Sequence, residues 1–125
     1  MKKLLSFLII ILSFISISCN TQKKITMIAK NKYDSISIKK NDTLSIELVS
    51  NPSTGYKWVF DNLDSSAFKL LDEQFVSPKT NLIGTAGKQI FTLKALKKGS
   101  FNLHLNYVRL DSEPEKEYTL NVNVK

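Results

Sequence analysis

An all-β sandwich is the fold class that this 125-residue sequence predicts, and three observations predict it. From Ile25 onward the apolar residues recur with period two, the spacing of a strand with one buried face and not of a helix. Turn signals such as Asn41-Asp42, Asn51-Pro52 and Lys97-Lys98-Gly99 interrupt that alternation about every ten residues. Cys19 is the only cysteine, so no internal disulfide braces the chain and two apolar faces must hold it together by packing.

The first nineteen residues stand apart from this pattern. Met1-Lys2-Lys3 is a short positive start, and Leu4 to Ile17 is uncharged and rich in Leu, Ile and Phe. That stretch is short for a membrane span and suits a signal peptide over residues 1–18. Ser18-Cys19 at its end resembles the bacterial lipobox, although Ser16 stands where that pattern usually has an aliphatic residue. The resemblance implies that Cys19 is lipidated and becomes the first residue of the mature protein. Residues 19–31 are then expected to be anchor and tether, and 32–125 the folded domain. The expected location is the cell envelope, as a membrane-anchored lipoprotein, with a secreted soluble protein as the alternative.

Loss of Lys2 and Lys3 lowers Lys+Arg from 18 to 16 against 11 acidic residues, a charge of about +5. The lysines are scattered and alternate with apolar residues, which reads as a solvated surface and not as a nucleic-acid groove.

The strands follow in order. Ile36 and Ile38 alternate in 33–40, and Leu44, Ile46 and Leu48 in 43–49. Tyr56, Trp58 and Phe60 alternate with Lys57, Val59 and Asp61, which places three aromatic rings on one face. In the weaker strand 68–76, Phe68, Leu70 and Phe75 are the expected core residues. Over 90–96, Phe91, Leu93 and Ala95 share a side. Phe101, Leu103, Leu105 and Tyr107 form an inward row, with Asn102, His104 and Asn106 outward, and Tyr118, Leu120, Val122 and Val124 close the chain. Seven to eight short antiparallel strands of this kind, with a Trp on the third or fourth, argue an immunoglobulin-like sandwich.

Catalytic chemistry is thin. One His and one Cys make no metal site, and neither a nucleophile elbow nor a P-loop nor a dinucleotide fingerprint occurs. His104, on an outward row, reads as a surface histidine. Asp111, Glu113, Glu115 and Glu117 alternate with other residues as a solvated edge does. The expectation is a binding module that is not an enzyme, is monomeric and needs no cofactor.

The loops 50–55, 83–87 and 108–114 carry the remaining information. In Asn51-Pro52-Ser53-Thr54-Gly55-Tyr56-Lys57-Trp58, Pro52 has a fixed φ and Gly55 tolerates a positive one, so a rigid turn leads into the aromatic strand. Ser53 and Thr54 sit at its tip, with hydroxyls expected to face outward. This segment resembles the first signature loop of the chagasin-like inhibitors of papain-family cysteine peptidases. Gly84-Thr85-Ala86-Gly87 is similar to their glycine-rich second loop, and Tyr107-Val108-Arg109 to the start of their third. Order and separations agree with the family from about residue 40 to the C-terminus.

Ala86 replaces a family glycine, and Leu110 and Asp111 replace the usual proline and aromatic ring. The resemblance implies a reversible, non-covalent inhibitor of papain-family peptidases, of the host or of the organism itself. Thr54 would lie nearest the catalytic pair, with Asn51, Pro52, Ser53, Gly55 and Tyr56 shaping the tip. Gly84 to Gly87 would lie along one side of the cleft, and Arg109, Leu110 and Asp111 along the other. For Arg109 a rim salt bridge with Asp111 or Glu113 is the alternative. For the chain it is a non-inhibitory surface lipoprotein with an adhesion domain.

Overall fold

The computed structural model describes residues 21–80 and 85–125. The signal segment, Cys19 and Gly84 lie outside them. Among the described residues eight strands form two four-stranded sheets. They are β1 (Lys24–Ile28), β2 (Tyr33–Ile38), β3 (Thr43–Ser50), β4 (Lys57–Phe60), β5 (Phe68–Val76), β6 (Gly87–Ala95), β7 (Gly99–Val108) and β8 (Lys116–Val124). One sheet has the order β1-β3-β6-β5 and the other β2-β8-β7-β4. The sandwich is as expected, with one departure: β1 pairs β3 and β2 pairs β8 in parallel, so both sheets are mixed. A period-two alternation is the same in either direction and carries no information about it. β1 also lies inside the stretch expected to be tether, where Ile25 and Met27 turn half-buried toward the core.

The core lies between the inner faces. Leu44, Ile46 and Leu48 of β3 and Phe91, Leu93 and Ala95 of β6 meet Leu103, Leu105 and Tyr107 of β7 and the Tyr118, Leu120, Val122, Val124 row of β8. Tyr118 Oη donates to Asp34 Oδ2 at 3.0 Å. Burial, and then that carboxylate, push the phenol's pKa well above its ordinary value. Outward His104 bonds Thr119 Oγ1 through Nδ1 at 2.8 Å.

β5 departs from expectation. Phe68 is buried, but Leu70 and Phe75 are 42% and 48% exposed, so neither is core. β5 is the edge of its sheet, and its register with β6 slips between Leu70 and Asp72. Leu70 and Phe75 are an odd number of residues apart, and the bulge between them sets both opposite inward residues, Leu93 and Gln89, but at the open edge of the sheet, where they stay partly uncovered.

The buried surprise is Gln89, on the Phe91-Leu93-Ala95 row of β6 and wholly inaccessible. Its Oε1 accepts from Trp58 N at 2.8 Å, and its Nε2 donates to Trp58 O at 2.9 Å and to Glu73 Oε1 at 2.8 Å. One amide thus imitates a strand partner for the free edge of β4 and ties the two sheets together beneath the loops.

Candidate functional site

Strand pairing brings the predicted loops to one end of the sandwich. Ser50, the last residue of β3, faces Gly87, the first of β6, and Lys57, the first of β4, faces Val108, the last of β7. The first loop therefore stands between the other two.

Its tip is a closed 3-10 turn over Pro52–Thr54. Thr54 N donates to Asn51 O at 3.2 Å and Gly55 N to Pro52 O at 3.0 Å. Gly55 ends the turn at φ 81, a left-handed conformation that other residues adopt at a cost. The two hydroxyls do not simply face outward. Ser53 Oγ donates to Asn51 Oδ1 at 2.6 Å, and Thr54 Oγ1 donates to the Asn51 carbonyl at 2.7 Å. Both protons are spent inside the loop, which leaves the exposed Thr54 side chain its methyl group and an oxygen able to accept.

A column of rings carries this tip. The Arg109 guanidinium lies 5.2 Å from the centroid of Tyr56, Tyr56 stacks on Tyr107 at 5.3 Å, and Tyr107 meets Trp58 at 5.1 Å. Trp58 is buried, and its Nε1 donates to Val49 O at 2.9 Å. Tyr107 Oη accepts the backbone N–H of Asn51 at 3.0 Å, so the third loop's tyrosine holds the entrance of the first loop. A Cβ at Gly55 would come within 3.4 Å of Arg109 Cδ, so the missing side chain also makes room for the arginine stem. Arg109 makes no ion pair among the described residues: its partner is a ring and not Asp111 or Glu113.

Beyond Arg109 the third loop is a tight turn. Ser112 N and Oγ both donate to Arg109 O, at 3.2 and 3.0 Å. Asp111 has φ 60, while Leu110 is 88% exposed. On the opposite flank, Thr85 and Ala86 are exposed and lead into Gly87, where a Cβ would meet Val76 O at 2.3 Å. Glycine is obligatory there because the β5 backbone passes so close. Between this flank and the first loop lies a cleft of about 190 Å³, lined among others by Pro52, Ser53, Phe75, Pro78 and Thr85. Sequence reasoning missed Phe75 as a surface residue. The signal available was its place in a strand whose neighbours Asp72, Glu73 and Gln74 are all polar.

Residues 37–124 match the chagasin family peptidase inhibitor I42. The chain belongs to that family, whose members inhibit peptidases and are not themselves enzymes. Among solved structures it is similar to the cysteine protease inhibitor EhICP2 of Entamoeba histolytica, with a TM-score of 0.73 at 26% identity over 83% of this chain and 97% of that one. Leishmania mexicana ICP is 26% identical over 87% of this chain and 94% of its own, with a TM-score of 0.53. PbICP-C, solved in complex with falcipain-2, has a TM-score of 0.58 at 18% identity over 82% and 98% of the two chains, a likeness of fold alone. No protein with a curated description matches.

Proposed function

We propose that this protein is a reversible, non-covalent inhibitor of papain-family cysteine peptidases that closes the active-site cleft with its three loops. The observation that carries the proposal is the closed turn Asn51–Gly55, standing at the end of the sandwich on a ring column. A papain-type cleft cuts peptides held extended across a Cys–His pair. A 3-10 turn with two internal backbone bonds cannot present an extended scissile bond, so it enters the site and stays intact. Thr54 sits foremost, and its spent proton leaves an acceptor for the protonated imidazole of the peptidase. Because the loop is ordered before binding, little entropy is lost, and nanomolar affinity, about −12 kcal/mol, is within reach.

The flanks set the target. Arg109 reaches one side of the cleft for a carboxylate or carbonyl. Gly84 to Gly87 follows the other, where Phe75 and the adjoining cleft supply an aromatic contact in place of the ring replaced by Asp111. Phe75→Ala should weaken inhibition about tenfold without altering the melt. The chain acts as a monomer, exported and held at the envelope through lipid on Cys19. Labelled palmitate incorporated by the native chain and not by Cys19→Ser checks the anchor.

The deciding experiment titrates the protein against papain and a cathepsin L-type enzyme with Thr54→Arg alongside. Tight inhibition abolished by the substitution supports the wedge. Tight inhibition that survives it discards the first-loop mechanism. No inhibition from a folded protein turns the reading to an adhesion domain.

A further inference from the structure

The end of the sandwich opposite the loops is a lysine surface, and we infer that it is a docking face for an anionic phospholipid bilayer. On the outer face of the first sheet Lys24, Thr43, Lys94 and Lys69 stand on one rung, each paired with the next. Like charges directly across a sheet oppose folding, and Lys69 faces Lys94 with no carboxylate between them. Lys39-Lys40 follows β2 and Lys97-Lys98 precedes β7. Both turns border Lys125, because Lys40 N donates to Lys125 O and Gly99 pairs with Val124. Lys23 completes the set through its carbonyl bond to Thr43 N.

Nine lysines thus share one end, and none forms an ion pair among the described residues. Among the described residues the side-chain carboxylates at this end are Asp42 and Asp64. Asp42 is buried and accepts from Lys23 N and Lys39 N, so it is engaged with the backbone. Asp64 is bonded to Ser66, and Lys97 lies close enough to help lower its pKa. Seven basic residues remain for the rest of the mature chain, against nine carboxylates there, so the net positive charge is concentrated at this one end.

Two further observations select a bilayer. A recess of about 600 Å³ opens at this end, lined by Lys23, Lys24, Lys39 and Lys125 together with Ile25, Ile38 and Asp42. Cations around a partly apolar recess, whose one carboxylate is engaged with backbone N–H groups, suit a phosphate headgroup with its glycerol below. Thr21 and Gln22 line the same recess, so the chain leaves the fold here, in the direction of Cys19. From Cys19 to Lys23 is four residues, at most about 14 Å when extended. Any attachment through that segment holds the lysines near the surface potential of anionic lipid, where basic clusters bind. The loops then stand about 25 Å away, the length of β3, beyond the screening distance and facing outward. The inference rests on the envelope location proposed above, and not on inhibition.

The test uses the whole chain, reconstituted by detergent dialysis into neutral phosphatidylcholine vesicles or vesicles with about 30 mol% phosphatidylglycerol. The apolar segment attaches it to both, so lysine reactivity in a pulse of acetic anhydride reports orientation. On anionic vesicles Lys39, Lys40, Lys97 and Lys98 should acetylate about threefold or more slowly than on neutral ones, and Lys57 and Lys79 at unchanged rates. About 0.5 M salt should abolish the difference. In Lys39→Glu/Lys40→Glu/Lys97→Glu/Lys98→Glu, Lys24 and Lys69 should lose their protection while papain inhibition stays as in the native chain. Should that variant not fold, the native comparison and Lys97→Gln/Lys98→Gln decide. Equal rates on the two vesicles, or slowing at both ends together, would overturn the proposal. So would protection by duplex DNA that the anionic vesicles do not give. A Cys19 found unlabelled by palmitate, with the footprint intact, removes the lipid anchor and leaves the docking face standing.

Discussion

The first and third loops share one aromatic column but are held in different ways. The first is closed by its own backbone, with two N–H bonds, two hydroxyl bonds, Pro52 and a left-handed Gly55. The third leans on a ring face through Arg109 and ends in a turn whose left-handed residue is Asp111, with Leu110 in solvent. Rigidity is built into one loop and lent to the other. A rigid element suits the invariant part of a target, the catalytic pair. An element that rests on a stacked cation suits the variable rim, because its side chains can change without loss of the fold.

If that division is right, the largest effect belongs to the first loop and falls on binding alone. Thr54→Arg places a long cation at the tip without touching the core. Inhibition should weaken about a thousandfold, about 4 kcal/mol, while the melting temperature stays put. A large loss of stability from that substitution would mean the tip braces the fold, and the comparison would fail. Tyr107→Phe strikes the support that both loops use. It leaves Asn51 N–H without its phenol partner, at a cost of about 1–3 kcal/mol in stability, read from a denaturant melt. Inhibition should fall with it, because the first loop's entrance loosens.

The sequence was most legible where one face is buried and the other wet. The Phe101–Tyr107 and Tyr118–Val124 rows alternate without interruption, and the structure buries them as their period demands, Phe101 only in part. Legibility failed wherever that contrast is missing. β5 is an edge strand, so Leu70 and Phe75 look like core in sequence, stand opposite inward residues and still lie at the surface. Gln89 occupies an apolar register, but its partner is the backbone of Trp58, about which side-chain patterning is silent. The loops of the candidate site were legible as motifs, because Gly55 and Tyr107 each answer a local geometric need. The inward bonds of Ser53 and Thr54 were not, since a hydroxyl's direction depends on which carbonyl the turn brings near.

Arg109→Ala sharpens the comparison at a smaller scale. Its removal uncovers Tyr56 and costs about 0.5–1 kcal/mol of stability, the worth of an exposed cation on a ring. The proposed contact with the peptidase rim would add to the loss of binding, so inhibition should weaken about tenfold. The loss should differ between papain and a cathepsin L-type enzyme, whereas Thr54→Arg should weaken both alike. An equal loss against both would assign Arg109 to the invariant part of the target.

The smallest effect is at Asp111, where glycine accepts φ 60 without steric penalty. Two opposed terms meet there. Relief of the left-handed conformation favours the folded chain, and the greater freedom of an unfolded glycine disfavours it. Because aspartate tolerates this region better than most residues, the first term is modest, and Asp111→Gly should stay within about 0.5 kcal/mol of the native melt. Binding responds to the lost carboxylate and not to the turn, since the Ser112–Arg109 bonds do not involve the Asp111 side chain. Asp111→Asn, which keeps the turn and removes the charge, should therefore match the glycine variant in inhibition. If the two diverge, the third loop owes its shape to residue 111, and it is less dependent on Arg109 than the ring column implies.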